Sequence, residues 1–197
     1  SVPFDAKIMK RFEQAILIVT FITFSWLAMQ AVHELGHVVA AWLTKAEIIK
    51  VALHPCIISQ TEIGHNPHPL IVVWAAPIVG AALPLLAFLM AKVCRAPGVY
   101  LFRFFAGVCL IANGVYIAVG PSEGLADTGV MMEHGSPRWL MVLFGVITVP
   151  LGLYLWHGEG KHFGLGAAKG QVSRSAAFVS AFLLIVLAGV ELIFNSK

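Results

Sequence analysis

The chain has 197 residues, of which 59% are hydrophobic and 12% are charged, and its mean hydropathy is +0.86. Because an ordinary soluble domain is about 25% charged, this composition predicts a membrane protein. The net charge of +3 and the lack of a basic cluster with interleaved aromatic residues exclude a nucleic-acid-binding protein. Five apolar runs approach or exceed the length that a transmembrane helix needs. Because transmembrane strands would require a closed barrel, we predict an all-α integral membrane protein.

The first apolar run covers about residues 12–44 and follows Lys7, Lys10 and Arg11. It is too long for a signal peptide and has no small-residue cleavage pattern, so we expect a retained helix. It also exceeds the roughly 20 residues of a single crossing. We therefore expect this helix to tilt or to project beyond the hydrocarbon.

Three ionisable residues, His33, Glu34 and His37, lie in the C-terminal half of this run. Residues four apart share one face of a helix, so both imidazoles can bind one ion with Glu34 beside it. This is the HExxH pattern, in which two nitrogens bind zinc and the carboxylate is the general base. The alternative is a buried trio without a ligand. A charge at mid-bilayer costs about 2.5–3.5 kcal/mol, which favours the metal site.

The first helix is followed by a segment that predicts a hairpin and by a second apolar run. Residues 46–69 are rich in Ile and Val and end in Gly-His-Asn-Pro-His-Pro, which predicts a short β-hairpin followed by a turn. The second apolar run, about residues 70–94, contains Pro77, Gly80 and Pro84. These residues predict either a kink or a break that leaves backbone groups free beside a polar cavity.

The third apolar run, about residues 99–119, contains Asn113. Two roles remain open for this amide: an interhelical hydrogen bond, worth about 0.6 kcal/mol in a bilayer, or a catalytic donor to the substrate carbonyl. The acidic, glycine-rich loop at 120–137 follows. Within it, residues 127–134 predict a half-helix with Asp127 at its N-terminus, where the helix dipole favours a carboxylate.

Two further runs, about residues 138–156 and 172–194, complete the predicted five transmembrane helices. We find no internal repeat and no low-complexity linker. We therefore predict one polytopic domain over residues 1–197, with a core at about 12–135 and additional helices at about 138–194. The cysteines are odd in number and form no Cys-x-x-Cys pair, so we expect free thiols at Cys56, Cys94 and Cys109.

Loop charges predict the orientation of the helices. With a cytoplasmic N-terminus, nine basic residues lie inside: Lys7, Lys10, Arg11, Lys92, Arg95, Arg103, Lys161, Lys169 and Arg174. Four lie outside: Lys45, Lys50, Arg138 and Lys197. In either orientation the histidine pair, the hairpin and the acidic loop lie on one side, so the histidines and the acids can meet.

A catalytic zinc usually has three protein ligands and an open position. For the third ligand we prefer Asp127, between Gly124 and Gly129, over Glu123 of the same loop and Glu62 of the hairpin. Of the other histidines, we expect His65 and His68 in an exposed turn. His134 should lie in the loop or support the site, and His157 and His162 should lie on the opposite side of the membrane.

With these residues the chain resembles the site-2 protease family of intramembrane zinc metalloproteases, in its small variants without extra soluble domains. The matching pieces are HELGH at 33–37, the hairpin-like segment, Ala76-Pro77 in the next helix, and Asn113 followed by Gly-Leu-Ala-Asp-Thr-Gly at 124–129. The family acid lies in a Leu-Asp-Gly motif, whereas this chain has Ala-Asp-Thr-Gly. The family's second core helix usually carries an Asn a few residues after a Gly-Pro motif. This chain lacks that Asn and has Gly80 near the position.

The resemblance implies hydrolysis of peptide bonds in or near the bilayer, in single-span membrane-protein substrates whose helix has unwound. It implies one zinc ion held by His33, His37 and Asp127, with Glu34 as the general base. It also implies a multi-pass protein of the bacterial inner membrane. Family members generally open their site to the cytosol, whereas the loop charges place it outside, so the sidedness stays open.

Two rival functions remain. A membrane subunit that keeps the ion for structure, as a scaffold for protein partners in a complex, would fit the missing second-helix Asn. A metal or proton transporter with a midplane site would fit the prolines of the second run and the half-helix, but it predicts inverted repeats. Replacing Glu34 with Gln should abolish cleavage and spare a structural metal.

Overall fold

The protein is described by a computed structural model that covers residues 4–123 and 126–195. Gly124 and Lys197, which entered the predictions above, lie outside the described residues. In chain order the elements are α1 (Phe4–Thr44), β1 (Ile48–Ala52), β2 (Gln60–Ile63), α2 (Pro69–Val93), α3 (Val99–Glu123), α4 (Ala126–Glu133), α5 (Arg138–Trp156) and α6 (Arg174–Asn195). Two 3₁₀ segments, Glu159–Phe163 and Gly166–Ala168, lie between α5 and α6. The predicted all-α fold with a small hairpin is confirmed.

Within residues 4–123 and 126–195, five helices are long and apolar enough to cross a membrane: α1, α2, α3, α5 and α6. This length and composition are those of a membrane protein. At about 1.5 Å per residue, the 41 residues of α1 span roughly 60 Å, about twice the hydrocarbon thickness. The helix therefore has the length to extend past the hydrocarbon, as its sequence suggested.

The prolines of the apolar runs do not end their helices. Helix α2 is continuous through Pro77 and Pro84, so the predicted interruption is not a break. Helix α3 continues through Pro121 to Glu123, past its predicted end near residue 119. In membrane proteins, neighbouring helices and local adjustments satisfy the backbone groups that a proline frees. The prolines therefore indicated more interruption of the helices than the structure has.

The hairpin leaves α1 through a defined helix end. Lys45 has a left-handed backbone with φ of 60°, and the Ala46 N–H donates to Ala41 O at 2.9 Å. This is the Schellman arrangement, which satisfies the last carbonyls of a helix and redirects the chain. Strands β1 and β2 then pair antiparallel, with Val51 opposite Thr61. The hairpin is thereby held at the C-terminal end of α1.

Helices α1, α2 and α3 form the centre of the bundle. Helix α1 packs between α2 and α6, α3 packs between α2 and α5, and α4 folds back on α2 and α3. Helices α1 and α3 contact each other only sparsely. A cavity beside the candidate site, described below, separates them.

The opposite end of the bundle is closed by the 3₁₀ segments. Gln14 Nε2 donates to Phe163 O and Gly164 O, both at 3.0 Å. Arg103 Nη1 donates to Glu159 Oε1 at 2.6 Å. Aromatic rings fill the space between these contacts: Phe21, Phe24, Phe104, Phe105 and Phe163. This end is therefore tied together by side chains, while the hairpin end contains the cavities.

Candidate metal centre

His33 and His37 lie one turn apart on α1 and are both buried. Their rings are 5.3 Å apart between centroids and nearly perpendicular. The exposed fractions of His33, Glu34 and His37 are 9%, 5% and 7%. Gly36 lets α1 approach α2 closely here, since a Cβ on it would lie 2.5 Å from Ala76 Cα. The two imidazoles are thus enclosed between helices instead of facing lipid.

Asp127, in the first turn of α4, completes a three-residue group. His33 Nε2 lies 3.0 Å from Asp127 Oδ2, and His37 Nε2 lies 3.4 Å from Asp127 Oδ1. Helix α4 is held against α3 where Thr128 packs on Gly120, a position at which a Cβ would lie 2.4 Å from Thr128 Cγ2. The preferred third ligand is therefore next to the histidine pair.

The other ring nitrogens of the two histidines face acceptors. His33 Nδ1–H donates to Asn113 Oδ1 at 2.7 Å, and His37 Nδ1–H donates to Val72 O at 3.0 Å. Asn113 Nδ2 donates to Cys109 O at 2.9 Å, which orients its oxygen toward His33. With Nδ1 protonated in each neutral ring, both Nε2 lone pairs point at Asp127. Partners of this kind orient metal-binding histidines in proteins.

The charge and lone pairs of this group favour a bound cation. One ligand atom from each of His33, His37 and Asp127 lies within 4.8 Å of the others. Burial alone would raise the pKa of the Asp127 carboxyl, but hydrogen bonds from the two imidazoles when they carry a proton on Nε2, and the attraction of their charge, outweigh this and hold the pKa well below its ordinary value. Three lone-pair donors that converge on one point repel each other unless a proton or a metal cation lies between them. The group could therefore bind a metal ion.

Glu34 is bonded to the hairpin. Thr61 Oγ1 donates to Glu34 Oε2 at 2.6 Å, and Ser59 Oγ lies 3.3 Å from Glu34 Oε1. One turn earlier on α1, Gln30 Oε1 accepts the Ser59 N–H at 3.0 Å. The Glu34 carboxylate is thus held by the hydroxyl groups of Ser59, just before β2, and Thr61, within β2. It lies near the candidate metal-binding group, the name used below for His33, His37 and Asp127.

Asn113 makes the interhelical hydrogen bond, which was one of its two predicted roles. The amide is 1% exposed and joins α3 to α1 through His33. Its nitrogen donates one of its two hydrogens to the backbone of its own helix, so the second role, a donor to a substrate carbonyl, stays a prediction. The geometry thus makes Asn113 a residue that orients the His33 ring.

Two cavities meet at the metal-binding group. The larger, about 980 Å³, lies between α1 and α3 and is lined by apolar residues such as Trp26 and Val115 as well as by His33, Glu34 and Asp127. The smaller, about 500 Å³, has a larger polar share in its lining than the first and includes His65, Asn66 and His134. Four residues line both cavities: His37, Thr61, Ala126 and Asp127. The site is therefore accessible from an apolar side and from a polar side.

The other acids considered from sequence lie away from the ligand group. Glu123 is exposed at the end of α3, and Glu62 is exposed in β2, opposite Lys50. His68 precedes α2 in an exposed turn, and His162 stacks on Tyr100 at the opposite end of the bundle. The three cysteines are free: Cys56, Cys94 and Cys109.

Sequence reasoning did not single out four residues around the site: Gln30, Ser59, Thr61 and Tyr116. Tyr116 lies edge-on to His33, with ring centroids 5.7 Å apart. Two of the four had a usable signal, because Gln30 precedes Glu34 by one helical turn and Tyr116 follows Asn113 by three residues on the same helix face. No local pattern indicated the hairpin hydroxyls.

Comparisons of the chain with protein-family models, with curated proteins and with solved structures find no match.

Proposed function

We propose that the chain is an intramembrane zinc metalloendopeptidase of the site-2 protease type, a multi-pass protein of the bacterial inner membrane that cleaves membrane-protein substrates. The observation that carries the proposal is the convergence of His33 Nε2, His37 Nε2 and Asp127 in the wall of a cavity that Glu34 also lines. Two imidazoles, one carboxylate and an adjacent general base form the donor set of catalytic zinc sites. The resemblance of the HELGH segment to that family supports the same function.

The donor set fits zinc. Ligand atoms that bind zinc at about 2.0–2.2 Å in tetrahedral geometry lie about 3.4 Å apart. The histidine-to-aspartate separations, 3.0 Å from His33 to Oδ2 and 3.4 Å from His37 to Oδ1, are close to this spacing, and one ligand atom from each of the three residues lies within 4.8 Å of the others. Three protein ligands also leave a fourth position open for a reactant, as catalytic sites require.

The residues of the chain divide the chemistry between them. When bound, zinc supplies the Lewis acidity that activates water and polarises the scissile carbonyl. Glu34 takes the proton from the attacking water and delivers it to the leaving amine. Asn113 and Val72 O hold the two imidazoles in the orientation that directs Nε2 inward. The low exposure of His33, Glu34 and His37 strengthens these interactions.

The two cavities supply the access that hydrolysis needs. The larger cavity, between α1 and α3, has room for an unwound segment of a membrane-spanning substrate beside Glu34. The smaller, polar cavity provides a route for water to Asp127 and His37. A substrate that is apolar on one side of the scissile bond and polar on the other suits this pair of cavities.

A second function, a catalytically silent metal-binding subunit of a larger complex, is favoured by one observation. Both oxygens of Glu34 contact hairpin hydroxyls, so the carboxylate also anchors the hairpin to α1. In that role Glu34 would hold structure around a permanent ion. The two functions differ in what a change at Glu34 does to cleavage.

The deciding experiment compares wild type with Glu34→Gln, purified in detergent. The probes are fluorescein-labelled casein, which is unstructured, and a synthetic single-span peptide with a Gly-Pro break. We expect cleavage to fall at least about 100-fold, the usual minimum for loss of a general base, with the zinc content unchanged. Glu133→Gln, which changes an exposed acid at the end of α4 that lines neither cavity, is the control. Equal cleavage by wild type and Glu34→Gln, or none by either, would refute the protease function.

A further inference from the structure

The segment that enters β2 is bonded to α1 at two successive turns. Gln30 Oε1 accepts the Ser59 N–H at 3.0 Å. Four residues later on α1, Glu34 accepts the Thr61 hydroxyl at 2.6 Å. Because Gln30 and Glu34 share a helix face, the two bonds fix both the position and the direction of this segment. The hairpin is therefore attached to the side chain that the proposed reaction uses as its base.

Of the two hydroxyls near Glu34, only that of Thr61 is a firm donor. A serine hydroxyl has one hydrogen to donate. Ser59 Oγ lies 3.4 Å from Gln30 Oε1 and 3.3 Å from Glu34 Oε1, so its single hydrogen is divided between two distant acceptors. Thr61 Oγ1 has Glu34 Oε2 at 2.6 Å, within the range of strong hydrogen bonds between a hydroxyl and a carboxylate.

The bond from Thr61 orients Glu34 without blocking it. An ionised carboxylate has about four lone-pair positions, so one bond per oxygen leaves acceptor capacity on both oxygens. Glu34 and Thr61 both line the larger cavity, which also contains His33 and His37. The unused positions are thus available to a reactant in that cavity. Thr61 is itself fixed by its pairing with Val51 in the hairpin.

We propose that Thr61 is a positioning residue of the active site, whose hydroxyl holds the Glu34 carboxylate in the orientation for proton transfer. Strand β2 is then part of the catalytic apparatus rather than a cover over it. This inference rests on the proposed protease function. A freely rotating Glu34 would adopt the productive orientation only part of the time, so the loss of the hydroxyl should affect turnover more than substrate binding.

The test measures kcat and KM on fluorescein-labelled casein, together with zinc content, for a set of isosteric and conservative variants. Thr61→Val removes the donor and keeps the shape. We expect kcat to fall about 10- to 100-fold, as for loss of a hydrogen bond to a charged group, with KM and zinc content unchanged. Thr61→Ser should restore kcat to within about threefold of wild type, and Ser59→Ala should lose less than Thr61→Val. Thr44→Val, which removes a hydroxyl bonded only within α1, is the matched control.

The kinetics of the Thr61 and Glu34 variants distinguish failure of the positioning role from failure of the protease function. If Thr61→Val is folded and retains the wild-type kcat, or if it lowers zinc content or raises KM while kcat is kept, the positioning role is refuted and the protease function stands. If Thr61→Val does not fold, Thr61→Cys replaces it, and the proposal then requires Thr61→Ser to be much faster than Thr61→Cys. If wild type and Glu34→Gln cleave equally, the protease function itself fails and this inference fails with it.

Discussion

His33 Nδ1 lies 2.7 Å from Asn113 Oδ1, although the two residues are 80 positions apart in the chain. The bond joins α1 to α3 directly behind the metal-binding group. Cys109 O fixes the amide from one side. Gly80 of α2 leaves room for it on the other, since a Cβ there would lie 2.7 Å from Asn113 Oδ1. Three helices thus cooperate to orient one imidazole.

Replacing Asn113 with Ala should weaken zinc binding about 10- to 100-fold, as loss of a partner of a metal-binding histidine typically does. The His33 ring would lose the acceptor that fixes its Nδ1–H and its orientation. Competition with a chromophoric chelator measures the affinity. Thr148→Ala is the control, because its hydroxyl bonds to Phe144 O within α5, away from the ligands. If Asn113→Ala binds zinc as tightly as wild type, the amide does not orient His33.

Replacing any one of His33, His37 and Asp127 with Ala should reduce the zinc content from about one ion per chain to near zero. A catalytic site needs at least three protein ligands. Mass spectrometry of metals in the purified protein measures this. Zinc at about 100 times its Kd should stabilise wild type by about 2.7 kcal/mol. A chelator should therefore lower the Tm of wild type but not that of the variants.

His65→Ala is the control for this series, because His65 lines the smaller cavity but lies outside the ligand group. It should keep the wild-type zinc content and the wild-type response to chelator. Retention of stoichiometric zinc by Asp127→Ala would show that another residue is the third ligand. Glu123 would then be the next candidate to replace.

The hydropathy pattern was sufficient to predict five helices, because the length of an apolar run is a direct requirement of the bilayer. The spacing of His33 and His37 predicted a shared helix face, because residues four apart in an α-helix are neighbours on its surface. The contact between Thr61 and Glu34 was not predictable, because it depends on how the hairpin packs on α1. The break considered near Pro77 is not observed, and α3 continues through Pro121 beyond its predicted end, since neighbouring helices satisfy the backbone groups that a proline frees.

Gly36→Ala should destabilise the protein by about 1–3 kcal/mol and reduce zinc binding. The added Cβ would meet Ala76 Cα at 2.5 Å and Ala75 O at 2.7 Å, and backbone atoms cannot rotate away. Helices α1 and α2 would have to separate beside His37, which is the kind of overpacking that costs this amount. Thermal unfolding in detergent and zinc titration measure the two effects.

Gly129→Ala provides the contrasting substitution. It lies in α4, two residues after Asp127, and a Cβ there meets nothing within 4 Å. Alanine should therefore be neutral or stabilise α4 by up to about 1 kcal/mol through helix propensity. Equal loss of stability in Gly36→Ala and Gly129→Ala would mean that the close approach of α1 and α2 is not what makes glycine necessary at position 36.

Gly120 and Thr128 offer a test of how α4 delivers Asp127 to the site. A Cβ on Gly120 would lie 2.4 Å from Thr128 Cγ2 and 2.6 Å from Thr128 Oγ1. Gly120→Ala should therefore displace α4 from α3 and draw Asp127 away from the imidazoles. Since overpacking of this kind costs about 1–3 kcal/mol, we expect zinc affinity to fall about 5- to 150-fold.

Adding Thr128→Ala should recover part of that loss, because it removes both of the nearest atoms. The recovery should be incomplete, since Thr128 Cβ would still lie 3.0 Å from the new methyl group. Thr128→Ala alone measures what the side chain itself contributes, and zinc titration of all four proteins completes a double-mutant cycle. If the double variant binds zinc as weakly as Gly120→Ala, the packing of α4 on α3 does not control the position of the third ligand.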